Sequence, residues 1–249
     1  MLKQIPPVTR ALLFINIGLY VVTQLLSASD ISLTILLGSY YPESLNFKFW
    51  QPFTHMFMHG GTGHIFFNMF ALFMFGSSVE THLGQKRFLI LYFLAGIGAF
   101  LLFNAQSFLQ VASYKAELSQ LGIDPELIRE RMHFTDLKGT LLNPMIPNLE
   151  IARDLAYSYI TPMVGASGAI YGVLVAYGLM FPNSSLMLVF LPFPIKAKYF
   201  IPGIMILEII LGLMNYSWNP VAHFAHIGGA ITGLIIMLYW RSQAKKRRY

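Results

Sequence analysis

Long apolar runs separated by short polar turns dominate this chain of 249 residues. A run of about 20 apolar residues is long enough to cross the hydrocarbon core of a bilayer as a helix. Six such runs predict six membrane spans. Their approximate bounds are 11–29, 62–79, 87–105, 162–181, 199–215 and 221–240. The apolar run from Leu186 to Ile195 is too short, and Pro192 and Pro194 interrupt it, so we assign it to the membrane interface.

The composition supports the same class. The chain is 55% hydrophobic and 11% charged, whereas a soluble domain carries roughly 25% charged residues. We therefore predict an all-α, multi-pass membrane protein in which residues 1–249 form a single six-helix bundle. The run 11–29 ends without a small-residue cleavage pattern, so we expect a first span rather than a cleaved signal peptide. The chain has no cysteine, which excludes disulfides and thiolate metal sites.

The distribution of charge predicts the topology. The net charge of +6 could indicate nucleic-acid binding, but the basic residues lie in short turns and in the tail 245–248, as in cytoplasmic membrane flanks. With the N-terminus in the cytoplasm, eleven of the 17 basic residues lie inside and six lie outside. We therefore expect both termini in the cytoplasm and no nucleic-acid partner.

Two long stretches then lie on the outer side. The first runs from Asp30 to Gly61, and the second is an excursion over residues 106–160 that contains a helix-like piece from Pro125 to Met132. Loops of this length are usually functional or disordered. The sequence leaves both alternatives open.

Polar groups recur at one depth in three of the predicted spans. Ser167 and His226 each lie about five residues in from the outer end of their span, and Asn68 lies about six residues in. His64 is one helical turn before Asn68, on the same face. At 1.5 Å per residue, these groups would lie roughly 8–10 Å below the outer edge. Ionisable residues within membrane segments are functional candidates.

These residue types suit hydrolysis. A serine hydroxyl needs a neighbouring base, which an imidazole supplies, and the developing oxyanion needs hydrogen-bond donors. We therefore predict Ser167 as the nucleophile and His226 as the base. His64, Asn68 and the backbone N–H of Ser167 are candidate oxyanion donors. Glu208 is predicted nearer mid-membrane, and no other acid lies at this depth, so the prediction is a Ser–His dyad without a third member.

Small residues predict how the two dyad residues meet. Gly168 and Gly172 in the fourth span, and Gly229 and Gly233 in the sixth, have the four-residue spacing that lets membrane helices approach closely. Close packing of these spans would bring the predicted nucleophile against the predicted base. Tyr171 lies one turn after Ser167, where its ring could pack beneath the imidazole.

At this point the residues resemble the rhomboid family of intramembrane serine proteases. The resemblance covers roughly residues 50–239 apart from 106–160. Its elements are Gly-Ala-Ser-Gly-Ala-Ile-Tyr-Gly at 165–172, Ala-His-Ile-Gly-Gly at 225–229, and the series His55, His59, His64 with Asn68. The combination is far more specific than the Gly-x-Ser-Gly signature by itself.

The resemblance implies a six-helix protease that cleaves transmembrane proteins near the extracytoplasmic face of a membrane, expected to be a bacterial inner membrane. We also expect no cofactor and no metal. The resemblance gives Ser167 and His226 the catalytic roles, His64 and Asn68 the oxyanion roles, and Tyr171 the role of packing on the histidine. It also implies that Gly165 lies near the oxyanion pocket, that the loop 215–220 caps the site, and that span five is the substrate gate.

One departure lies in the first outer loop. The family commonly carries Trp-Arg there, and this chain has Trp50-Gln51, which puts the usual charge contacts of the loop in doubt.

Several alternatives remain open. Ser167 taken by itself could be a helix-packing serine, and His223 could exchange roles with His226. His55 and His59 have a spacing that also suits zinc, but no carboxylate or cysteine lies near them, so we predict that they order the loop through hydrogen bonds. A non-catalytic relative that binds or escorts membrane proteins is one alternative function. A transporter that uses Glu208 as a proton relay is another.

Overall fold

The structure is a computed structural model that describes residues 5–143, 147, 149–187, 193–214 and 221–246. Eleven α-helices lie in these ranges. They are α1 (Pro7–Ser27), α2 (Leu33–Leu37), α3 (Gln51–Thr54), α4 (Thr62–Ala71), α5 (Ser77–Leu83), α6 (Gln85–Gln120), α7 (Pro125–Arg131), α8 (Glu150–Ile160), α9 (Ser167–Met180), α10 (Ala197–Met214) and α11 (His223–Lys246). Two short antiparallel strands, β1 (Ser185–Leu186) and β2 (Ile195–Lys196), precede α10.

Five helices are long and apolar enough to cross a membrane, which supports the predicted all-α multi-pass class. They are Pro7–Ser27, Thr62–Leu83, Gln85–Gln120, Ala197–Met214 and His223–Ala244. The second of these runs through α4, a π-helical segment Leu72–Gly76 and α5 without a break. The span predicted at 162–181 is a shorter apolar helix, α9, which begins only at Ser167.

The helix that carries the third predicted span is longer than that span. Helix α6 continues to Gln120, fifteen residues past the predicted end at 105, so the excursion begins as part of the same helix. The helix expected at Pro125 to Met132 is present as α7, and the side chain of Asp124 caps it by accepting a hydrogen bond from the backbone N–H of Glu126. Helix α8 then returns the chain to the bundle.

The excursion is a packed structure with a small core of its own. Buried side chains from the end of α6, from α7 and α8, and from the first outer loop form one cluster: Tyr41, Val111, Leu118, Ile128, Met132, Ala152, Leu155, Ala156 and Tyr159. On its surface, Lys115 pairs with Glu43 at 2.6 Å and Arg129 with Glu126 at 2.6 Å. Of the two alternatives that the sequence left open, the described residues therefore exclude disorder.

Glycines allow α6, α9 and α11 to form the centre of the bundle. A Cβ atom added at Gly229 of α11 would lie 1.9 Å from the carbonyl oxygen of Gly168 in α9. A Cβ atom at Gly172 would lie 2.4 Å from the Cβ atom of Ala95 in α6. Because such distances are impossible for real side chains, the helices can approach this closely only with glycine at these positions.

A buried carboxylate fixes the start of the first span. Glu80 of α5 is 2% exposed, and it accepts hydrogen bonds from the backbone N–H groups of Val8 at 2.9 Å and Thr9 at 2.6 Å. These N–H groups lie in the first turn of α1, where a helix has unsatisfied donors and a positive dipole end. The carboxylate therefore ties the beginning of the first span to the end of the second.

Some sequence predictions concern residues outside the described ranges. The capping loop predicted at 215–220 lies wholly outside them, and so does the end of the basic tail at 247–249. Of the interfacial run from Leu186 to Ile195, residues 188–192 lie outside them as well, and the ends of that run contribute to β1 and β2.

Candidate active site

Ser167 and His226 meet where the starts of α9 and α11 come together. The Oγ atom of Ser167 lies 2.9 Å from Nε2 of His226, within hydrogen-bond distance. Ser167 is the first residue of α9, and His226 is the fourth residue of α11. Ser167 therefore begins its helix instead of lying five residues inside it, because residues 162–166 are not helical.

The aromatic ring of Tyr171 covers one face of the histidine. The two rings are stacked, with centroids 4.2 Å apart and planes inclined by 9°. Tyr171 follows Ser167 by one helical turn, so the same helix presents the hydroxyl group and the supporting ring. This contact restricts the rotation of the His226 side chain.

The outer loops fix the backbone that leads into Ser167. Ser39 and Met163 exchange two backbone hydrogen bonds, at 2.9 and 2.7 Å, and the N–H of Gly165 donates to the carbonyl of His55 at 3.0 Å. Gly165 has a φ of +122°, a conformation that side chains disfavour. The extended segment and the glycine together deliver the chain to the start of α9.

His64 packs directly against Gly165. A Cβ atom added at Gly165 would lie 2.7 Å from Nε2 of His64 and 3.5 Å from Oγ of Ser167, so the imidazole and the hydroxyl flank the same point of the backbone. The Nδ1 atom of His64 lies 3.4 Å from the N–H of Gly60, which can donate to it. Nε2 of His64 is then the protonated nitrogen, and it lies against Gly165.

Asn68 is buried one turn below His64. Its side-chain N–H donates to the carbonyl of His64 at 2.8 Å, within the same helix. The structure thus brings Asn68 to the site through His64, and gives it no direct hydrogen bond to Ser167 among the described residues. An oxyanion role for its amide requires that this internal bond be exchanged or shared when substrate binds.

The family commonly has arginine where this chain has Gln51, which put the contacts of the first outer loop in doubt. In the structure, Gln51 makes several contacts within that loop. Its side chain is fully buried. Its carbonyl oxygen accepts hydrogen bonds from the N–H groups of Tyr40 and Lys48, and its amide donates to the carbonyl of Asn46. A neutral amide therefore holds the first outer loop together.

The side chain of His55 does not order the loop through hydrogen bonds, as the sequence suggested it would. Burial lowers the pKa of His55 to about 3 and that of His59 to about 4, so both rings are neutral near pH 7. Neither ring nitrogen of His55 has a hydrogen-bond partner among the residues that the structure describes. His55 orders the site through its backbone carbonyl, which receives the N–H of Gly165.

Glu208 is the residue that the sequence reasoning placed wrongly. Its Oε1 atom lies 3.0 Å from Nδ1 of His226, and its Oε2 atom lies 2.6 Å from Nδ1 of His223. The prediction that no acid lies near the dyad is therefore wrong. The position of Glu208 along its span predicts only the depth of its Cα atom. It does not predict that α10 turns the side chain of Glu208 inward, toward the start of α11.

The same three residues form the one group in the described part of the chain whose donor atoms could together hold a metal ion. The donor atoms of Glu208, His223 and His226 lie within 4.8 Å of one another. His55, His59 and His64 do not form such a group. The zinc-like spacing of His55 and His59 in the sequence therefore does not correspond to a three-ligand group in the structure.

Comparisons with known proteins agree with the motifs. The family model of the Rhomboid domain matches residues 46–115 and 141–243, which is most of the chain. The chain is 27% identical over 244 residues to rhomboid protease AarA of Providencia stuartii, covering 92% of this chain and 71% of that protein.

Two further relatives match over shorter stretches. An uncharacterized mitochondrial rhomboid protein of Schizosaccharomyces pombe is 27% identical over 211 residues, covering 81% of this chain. The chain spans 53% of the length of that relative. Rhomboid protease GlpG of Klebsiella pneumoniae is 34% identical over 85 residues, which are 34% of this chain and 30% of GlpG. The matched domain covers the helices that carry Ser167 and His226, and the chain belongs to the rhomboid family.

Proposed function

We propose that this protein is an intramembrane serine endopeptidase that cleaves transmembrane substrate proteins near the extracytoplasmic face of the membrane. The observation that carries the proposal is the 2.9 Å contact between Oγ of Ser167 and Nε2 of His226. A nucleophile and a base within hydrogen-bond reach, in helices that belong to a membrane bundle, are the minimum machinery for acyl transfer at that location.

The reaction proceeds by acyl transfer. Oγ of Ser167 attacks the carbonyl carbon of the scissile peptide while its proton passes to Nε2 of His226. The resulting tetrahedral intermediate collapses, the C–N bond breaks, and the imidazolium returns the proton to the leaving amine. A water molecule, deprotonated by the same imidazole, then hydrolyses the acyl-enzyme and releases the serine.

The carbonyl oxygen becomes an oxyanion that needs donors beside Ser167. The backbone N–H of Ser167 is the first candidate, because the first four N–H groups of a helix have no partner within the helix. The Nε2 proton of His64 is the second, and the Asn68 amide behind it is the third. Removing one donor of this kind typically lowers turnover by about 10²–10³-fold in a soluble serine protease.

We place the site toward the outer face of a bacterial inner membrane, with both termini in the cytoplasm. The basic flanks and tail support this orientation. The relatives named for protease activity, from Providencia stuartii and Klebsiella pneumoniae, support a bacterial membrane. The substrates are then single membrane helices that reach Ser167 from within the bilayer. Reaction by the Ser–His pair itself calls for neither a metal nor a cofactor.

The direct test is labelling with a fluorophosphonate probe together with cleavage of a model transmembrane substrate. Ser167→Ala and His226→Ala should each lower both signals by about 10⁴-fold or more, since nucleophile and base act as a unit. Ser78→Ala is the matched control, because that hydroxyl bonds only within its own helix. Labelling of Ser167→Ala at the wild-type level, or full activity of His226→Ala with loss in His223→Ala, would overturn the assignment.

A second prediction concerns the packing of His64 on Gly165. Gly165→Ala should lower kcat by at least about tenfold, because the added methyl group displaces the His64 imidazole from its place beside Ser167. Gly60→Ala is the control on the other side of the same histidine, where an added Cβ atom meets nothing nearer than 3.9 Å. Equal kcat values for the two variants would remove His64 from the oxyanion pocket.

A third prediction concerns the position of the cut. The backbone of a substrate helix is hydrogen-bonded internally, so it must unwind locally before Ser167 can attack. Cleaved substrates should carry Gly, Pro or other small residues near their outer membrane boundary, and replacing these by Leu should slow cleavage without changing insertion. Mass spectrometry of the products tests this, and a cut in the cytoplasmic half of the substrate span would refute it.

A further inference from the structure

Glu208 joins three side chains of the site through one carboxylate. Oε1 lies 3.0 Å from Nδ1 of His226 and also accepts a hydrogen bond from the hydroxyl of Tyr171. Oε2 lies 2.6 Å from Nδ1 of His223. The carboxylate is 7% exposed, and every oxygen of it faces a donor. Both the edge of His226 and the ring stacked on its face are therefore connected to Glu208.

This contact is exceptional within helix α10. The other buried residues of that helix are Ala197 and Ile201, both in its first half. The residues around Glu208 are apolar and exposed, among them Leu207 and Ile209. A carboxylate is costly to place in a membrane bundle unless its charge meets donors. The position of this one, next to the catalytic base, needs a chemical reason.

The chemistry of the base supplies that reason. His226 can accept the proton of Ser167 only when Nε2 is free, which requires the tautomer protonated at Nδ1. A carboxylate beside Nδ1 favours that tautomer and stabilises the imidazolium that forms during attack. Glu208 is the described acid that lies beside this nitrogen.

We propose that Glu208 is a positioning residue for the Ser167–His226 pair, an inference that rests on the proposed protease function. It selects the tautomer of His226, and through the Tyr171 hydroxyl it also holds the stacked ring in place. The N–H direction at Nδ1 of His226 is not aligned with the carboxylate in this structure, although the separation is 3.0 Å. His226 is therefore positioned both by its electrostatic contact with Glu208 and by the stacked ring of Tyr171.

Two other roles for this cluster predict different outcomes. Glu208 could be a latch that only ties α10 to α11, in which case its loss would free the helix and leave the chemistry of His226 unchanged. Glu208, His223 and His226 could instead hold a divalent metal, in which case the histidine would not be available as a base. The experiment described next distinguishes both of these roles from that of a positioning residue.

The test compares Glu208→Gln, Glu208→Asp and Glu80→Gln in the full-length, detergent-solubilised protein. Glu208→Gln should lower kcat by about 10- to 100-fold with little change in KM, since the amide can donate to Nδ1 and favour the wrong tautomer. The loss should be smaller than the roughly 10⁴-fold seen in a soluble triad, because the Tyr171 ring still holds the imidazole. Glu208→Asp should restore part of kcat.

The second readout is the ¹⁵N NMR signal of His226, which reports its tautomer. The wild type should carry the proton on Nδ1, and Glu208→Gln should shift it to Nε2. Glu80→Gln removes another buried carboxylate, which accepts hydrogen bonds from the start of α1. It should lower thermal stability while leaving kcat per probe-labelled enzyme and the His226 tautomer unchanged.

Three results would overturn the inference: wild-type kcat and tautomer in Glu208→Gln, a higher kcat in that variant, or loss of wild-type activity in EDTA with recovery on adding Zn²⁺. The first or the second would indicate a latch, and the third a metal site. All three presuppose an active wild type and an inactive Ser167→Ala variant. If Ser167→Ala remains active, the proposed protease function fails instead.

Discussion

The close contact between α9 and α11 is the constraint on which the site depends. Gly168 and Gly229 bring the two backbones so near that a single added methyl group would lie 1.9 Å from a carbonyl oxygen. Ser167 directly precedes one of these glycines, and His226 lies three residues before the other. Backbone packing therefore brings the two residues together, and the stacked ring of Tyr171 restricts the imidazole at 2.9 Å from the hydroxyl.

The remaining elements support this contact from different sides. Helix α6 packs its alanines against the glycines of α9, and the first outer loop holds the segment before Ser167 through backbone hydrogen bonds. The cluster at the end of α6 anchors that loop in turn. Helix α10 differs, because it is mostly exposed, and in its second half Glu208 is its buried residue. Ser167 and His226 thus lie on a closely packed three-helix core, with a more exposed helix beside it.

Sequence reasoning recovered the helical class and the residues that meet at the site, because glycine spacing and rare polar groups in apolar runs have few alternative explanations. It failed where tertiary contacts decide the outcome. Residues 162–166 are apolar enough for a helix, but strand-like bonds to Ser39 and the positive φ of Gly165 keep them out of the helix. Helix α6 continues past residue 105 because the excursion packs against it. Neither effect has a local sequence signal, and the same holds for the inward direction of Glu208.

The most direct measurement is the rate at which a fluorophosphonate probe labels Ser167 in a Gly229→Ala variant. The added methyl group must separate α11 from α9, and a displacement of about 1 Å can cost roughly 10²-fold in rate. We expect labelling to slow by at least about tenfold while membrane insertion is unchanged. Gly18→Ala, where an added Cβ atom meets nothing within 4 Å, should label at the wild-type rate. Wild-type labelling of Gly229→Ala would contradict the claim that glycine packing sets the catalytic geometry.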